Sequence, residues 1–332
     1  MEYSRRALIV ERLLAVALLA AALGAAWAES GSTLAARVRE GRPWLAWLEA
    51  RERGHAAPPS LQLAVYDPVA RRLRLIHVPG ELKLEPKGRR TLERAYLEAL
   101  KQTEDPEAAA RAAEDLAEVR LRELSPEPIP AISARLVVEI PPLAPEDEAS
   151  LEAARELKAR GRRFRTWFAL ARRAGRGFLN KHPELDPLLF ALELRRVPVE
   201  RIEPARLPTD DLAAGFLGRA LAAEERPEDG RAATVEVLNG AGVPGLASRA
   251  AKVLRLRGVD VFPTTGSTNS RARTLVYDRV GDFARAEKTR VALGCPSART
   301  VTRLDPSRAV DVSIALGADC AATFGPGEGR KP

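Results

Sequence analysis

The sequence predicts a mixed α/β chain: an N-terminal transmembrane or signal helix, a mixed-sheet α/β domain, and a small C-terminal domain of order βαββαββ. Three observations predict it. Residues 13–28 form an unbroken apolar run, the last hundred residues alternate between period-two strands and one-sided helices, and the middle carries both patterns around six prolines between 126 and 145. With 332 residues, 45% of them hydrophobic, the chain is long enough for two cores, which excludes wholesale disorder.

The first run, LLAVALLAAALGAAWA, follows Arg5, Arg6 and Arg12, so its positive flank stays inside and the chain after residue 30 is exported. Two readings of residues 1–30 stay open. A signal anchor reaches the ~20 apolar residues of a spanning helix by extending back to Ala7, and a cleaved signal peptide would use Ala26-Trp27-Ala28 as its small-x-small site.

Trp44 to Leu48 is a short apolar burst; Trp44 and Trp47 suit the core or, less well, the membrane interface. Residues 61–66 and 73–78 flank the turn signal Asp67-Pro68 and predict a hairpin. Helical periodicity covers 91–101 and 106–124, the second with Pro106 in its first turn after Asp105. The prolines then permit one strand, residues 134–140, before helix resumes from Glu146 to about Gly177. A mixed stretch to 222 and the polar, Pro- and Gly-containing residues 224–232 end a domain over 40–223. In the last domain, 233–321, TVEVLN leads through a glycine-rich turn into a helix with Leu246, Ala247, Ala250, Ala251 and Leu254 on one face. Two strands, a helix from Phe283 to Leu293 stopped by Gly294, and two further strands follow. Residues 322–332 are expected to be a disordered tail.

The chemistry-bearing residues narrow the function. Lys and Arg number 53 against 45 acids, a net charge of +8 that favours anionic partners. Two cysteines and three scattered histidines, His55, His77 and His182, exclude a zinc ribbon, a haem attachment motif and a CxxC redox pair. Cys295 and Cys320 are a candidate disulfide in an oxidising compartment, two unrelated thiols being the alternative. His77, on an apolar strand without a motif-placed Ser/Asp partner, is read as packed. Residues 240–245 match GxGxxG, with Asp260 twenty residues on, but that acid begins its strand instead of ending it. A dinucleotide site is therefore rejected. What remains is an anion site at the helix start formed by Gly240, Gly242 and Gly245.

Between Arg155 and Arg176 stand nine basic side chains and one acid. This segment supplies the anion-binding candidates Arg155, Arg160, Arg162, Arg163, Arg165 and Arg172. It reads first as a solvated basic face over a buried one, then as a dedicated site, and third as a contact for anionic lipid heads or acidic glycopolymers. Nucleic acid is not expected as a partner of an exported chain.

VEVLNGAGVPGLASRAAKVLRLRGVDV, followed by TLVYD and DVSIALGAD, resembles the LytR C-terminal domain of bacterial envelope proteins over about residues 234–320. LAVYDPVARRLRLIHVPGELKL resembles the hairpin of a LytR-CpsA-Psr domain, whose members are membrane-anchored transferases that move glycopolymers from polyprenyl pyrophosphate to peptidoglycan. The resemblance implies a metal-binding acid at Glu49 with Arg51 beside it, a second acid at the place of Ser60, and a Pro-Arg-Asp motif where this chain has Pro79-Gly80-Glu81. An arginine-rich helix contributes to the pyrophosphate site of that family. Gly80 supplies neither charge nor reach to a transferring phosphate.

The expectation is an exported protein of the bacterial cell envelope, at the cytoplasmic membrane through its N-terminal helix, carrying a degenerate domain. It would bind envelope glycan, polyprenyl phosphate or a cell-wall assembly partner without catalysis and without a cofactor. The alternative is a magnesium-dependent phosphotransferase using Glu49 and Glu81, with Glu49 as the metal ligand.

Overall fold

The computed structural model describes residues 32–52, 58–85, 88–140, 152–153, 155–159, 186–209, 212–221, 232–262 and 270–324. The expected N-terminal helix and most of the basic segment lie outside the described residues, within which no helix is long and apolar enough to cross a membrane.

The helix α1 (Thr33–Glu40) leads into β1 (Trp44–Glu52), β2 (Ser60–Asp67) and β3 (Arg72–Val78). β2 and β3 form the expected antiparallel hairpin. Its turn is set by Asp67, whose carboxylate accepts from the backbone N–H groups of Val69 and Ala70. α2 (Leu92–Thr103) and α3 (Pro106–Leu124) follow, α3 capped by Asp105, which accepts from the Glu107 N–H. β4 (Ile132–Ile140) returns to pair in parallel with β1. Residues 155–159 are helical, and α4 (Asp186–Arg196), β5 (Ile202–Arg206) and α5 (Leu212–Leu221) complete the first half.

The second half runs β6 (Thr234–Asn239), α6 (Leu246–Leu256), β7 (Asp260–Val261), β8 (Leu275–Asp278), α7 (Phe283–Leu293), β9 (Arg299–Thr302) and β10 (Val312–Leu316). This is the βαββαββ order read from the sequence. Gly294, at φ 75°, ends α7 in the left-handed region that favours glycine. Asp260 faces Thr234 at the first pair of β6 and β7, at the start of its strand. Phe324, placed by sequence in the tail, is buried in this half's core.

The ten strands of the described residues form one sheet in the order β4-β1-β2-β3-β5-β9-β8-β10-β6-β7. The halves therefore share a sheet, joined where Ala205 of β5 meets Thr302 of β9 in parallel.

Alternation along β1 divides the first half into two layers. Leu45 and Trp47 face α2, α3 and α5, whereas Trp44, Ala46, Leu48 and Ala50 face α1, α4 and the short helical segment. Both tryptophans are core, each large buried side chain contributing about 1.5–3 kcal/mol. α1 is fastened by Asp186, the buried first residue of α4, which accepts from Ser32 Oγ at 2.6 Å, from Thr33 Oγ1 and from the Leu34 N–H.

Candidate functional site at the junction of the two halves

A concavity lies over the β5–β9 joint. There a cleft of about 510 Å³ separates α5 from α7. Phe216 and Ala220 form one wall, Phe283 and Val291 the other, over a floor of Arg74, Glu203, Ala205 and Thr302. Arg74 holds the floor to the wall: its Nε donates to Glu203 at 2.7 Å, and its Nη1 donates to the Ala220 carbonyl at 2.9 Å.

A second cavity of about 120 Å³ sits towards the beginnings of the two strands, where Ile202 and Arg299 line it together. It shares Glu200, Phe283 and Glu287 with the larger cleft. Four cations reach it: Arg155 and Lys158 from the helical segment, Arg290 from α7, and Arg299 from β9. The helical repeat of α7, capped by Asp282 through the Arg285 N–H, places Phe283, Glu287 and Arg290 on the face that meets the joint. Glu287 accepts from Arg290 through both oxygens and from Thr300 Oγ1 at 2.7 Å. Glu152 accepts from Arg155 at 2.7 Å and also from Arg273. Burial, with the added repulsion of Arg155 and Arg290, pushes the Arg299 guanidinium below its ordinary value.

The residues singled out by sequence fall in different places. Glu49 is fully buried; Arg51 Nε donates to one oxygen at 2.5 Å and Arg135 Nη2 to the other. Arg135 also donates to Glu114 of α3 at 2.8 Å, making a charge network between sheet and helix. Glu81 is more than half exposed and accepts from Arg206. Among the described residues Glu49 is bonded by Arg51 and Arg135 and Glu81 by Arg206, and neither acid lines either cavity. Ser60, in the place of the second acid, bonds His77 Nδ1 through its hydroxyl at 3.1 Å. These residues do not fit a magnesium ion. A hard cation at Glu49 would have to displace two guanidinium groups and would find a single carboxylate there, since neither the Ser60 hydroxyl nor Gly80 supplies a second anionic ligand.

Arg155 belongs to the small cavity, while Arg160, Arg162, Arg163, Arg165 and Arg172 lie outside the described residues. Gly242 and Gly245 take φ of 69° and 71° in the turn before α6, and Arg249 Nη1 donates to the Pro244 carbonyl there. Cys295 and Cys320 are joined as a disulfide with Cα atoms 5.8 Å apart. Sequence reasoning missed Lys158, Arg290 and Arg299 as a group, because no spacing links residues that only the joint brings together.

The turns of the second half explain its motif residues. Asp278 is buried and accepts from the N–H groups of Val280, Gly281 and Asp282 and from Thr302 Oγ1. Asp319 accepts from the N–H and hydroxyl of Thr274. A Cβ on Gly317 would lie 2.3 Å from the Arg273 carbonyl carbon, so only glycine fits between these segments. Residues 232–319 match the family described as LytR cell envelope-related transcriptional attenuator. The second half of the sheet is thus the part that matches the LytR C-terminal domain, a family described as cell envelope-related. Neither a curated protein nor a solved structure matches the chain. In this LytR C-terminal domain the aspartates of TLVYD and DVSIALGAD act as backbone clamps, placing α7 and β9 at the joint.

Proposed function

We propose that this chain is an envelope protein that binds an anionic envelope ligand, a glycan or a polyprenyl phosphate, without transferring it. The observation that carries the reading is the state of Glu49: sealed from solvent, with both oxygens occupied by Arg51 and Arg135. A carboxylate so held serves the fold. Pyrophosphate transfer needs cations aimed at developing charge together with a carboxylate open to metal; Gly80 offers neither, and the Glu81 carboxylate is engaged by Arg206. Cations and apolar walls instead converge at the joint. In this reading residues 1–30 hold the chain at the cytoplasmic membrane, with the rest outside it.

The test is retention. Full-length protein in detergent, mixed with a polyprenyl-pyrophosphate-linked glycan and passed over a sizing column, should carry the lipid with it, and retention should weaken as salt rises. A chain that elutes free of lipid at low salt contradicts the reading.

A further inference from the structure

The cleft between α5 and α7 has apolar walls over a floor whose charges are paired with one another. Phe216 and Ala220 face Phe283 and Val291 across about 510 Å³, within the ~300–1,000 Å³ of ordinary ligand pockets. On the floor Glu203 accepts from Arg74 at 2.7 Å and meets Arg72 at 3.8 Å, Arg72 meets Asp67 at 3.5 Å, and Thr302 Oγ1 donates to Asp278 at 3.0 Å. Along α7, Asp282 meets Arg285 at 3.1 Å and Glu287 meets Arg290 at 2.7 Å. The exposed charges of the lining, Arg219, Lys288 and Glu200, are of both signs. The smaller cavity shares Phe283 and adds Val199 and Ile202, so apolar side chains continue beyond the cleft.

We propose that this cleft binds the hydrocarbon chain of a single lipid, acyl or isoprenoid. The proposal rests on the reading of the joint as the binding site and names the part of a ligand recognised there. An anion on this floor would compete with carboxylates already seated on Arg72 and Arg74. A peptide would bury N–H and C=O groups over side chains engaged with one another, which costs free energy. A hydrocarbon chain carries no polar group to satisfy; it gains by leaving water and by dispersion contact with Phe216 and Phe283. Arg219 stands where the halves approach, its Nη2 3.6 Å from the place of a Cβ on Gly281. Because the walls come from both halves, a bound chain also strengthens their docking.

The experiment uses full-length protein in digitonin and two uncharged probes, hexadecanol and farnesol, each carrying a diazirine, with photolabelled peptides mapped by mass spectrometry. Adducts should fall on the peptides of α5 and α7 and be displaced by the unlabelled alcohol. Val291 lines the cleft at 63% exposure, so Val291→Asp places a charge there without entering the core, and Ala284→Trp fills the same space. Each should lower labelling at least tenfold, while Val119→Asp, on the exposed face of α3, should leave it unchanged. Thermal unfolding without probe confirms that each variant folds. Stronger labelling by hexadecanol assigns the chain to an acyl lipid, and stronger labelling by farnesol to an isoprenoid. Labelling that survives both substitutions, or that is absent from α5 and α7, overturns the site. Neither probe carries phosphate or sugar, so retention of lipid-linked glycan is read separately. If the cleft fails and retention persists, the anionic-ligand reading stands without it; if retention also fails, both fall.

Discussion

Glu49, which only the transferase alternative puts in chemistry, is held by its neighbours in a charge network. The sequence placed Glu49 next to Arg51 on a strand, and that adjacency survives as an ion pair. The other partners were hidden: Arg135 and Glu114 sit inside apolar patterns, and only the β1–β4 pairing and the packing of α3 bring them in. Glu49→Gln leaves Arg51 and Arg135 without their shared carboxylate, so stability should fall by about 2–3 kcal/mol, less than for fully buried partners. Urea unfolding measures this; a change under about 0.5 kcal/mol would show the network to be dispensable. Glu114 adds a pH dependence. Burial, outweighing the pull of Arg135, pushes its carboxyl up to about 7. A raised folded value means that stability is complete below the ordinary value of 4.5 and is lost as pH rises through about 7. Between pH 5 and 8 the protein should lose on the order of 2–3 kcal/mol at ~1.4 kcal/mol per pKa unit, and Glu114→Gln should remove that slope. Identical slopes in the two proteins would contradict the assignment.

Among the elements, those with strong local punctuation were legible. Asp67-Pro68 marked the hairpin, Asp105-Pro106 the start of α3, and Gly294 the end of α7. β5 was not legible, because Pro204 interrupts it and Glu203 and Arg206 break its apolar alternation. It forms nonetheless, since β3 and β9 flank it and Arg74 pairs with Glu203 across the ladder. α1 was also missed; its eight residues are too short to declare themselves. Its stability comes from Asp186, more than 150 residues away in sequence. Asp186→Ala should cost about 2–3 kcal/mol through three lost hydrogen bonds at a buried site. Amide exchange over residues 34–40 should accelerate well beyond that in β2. Unchanged exchange in α1 would mean that its contacts with β1 suffice.

Over the whole molecule, two sequence units join into one sheet through a single residue pair, and both cavities lie where they meet. The βαββαββ half was legible because each of its strands and helices carries its own period and stop. The joint was not, because the residues on its two sides, Lys158 and Glu200 against Glu287 and Arg299, belong to separate patterns. The resemblance to a transferase fixed attention on Glu49, Gly80 and Glu81, and their geometry turns the argument from transfer towards binding. One measurement tests that turn most directly: full-length protein with polyprenyl-pyrophosphate-linked glycan and magnesium, assayed over time for released polyprenyl phosphate. The account predicts lipid retained with no release above the protein-free rate, in the natural sequence and in Glu49→Gln and Glu81→Gln alike. Release by the natural sequence that disappears in either variant would contradict it and establish an active transferase.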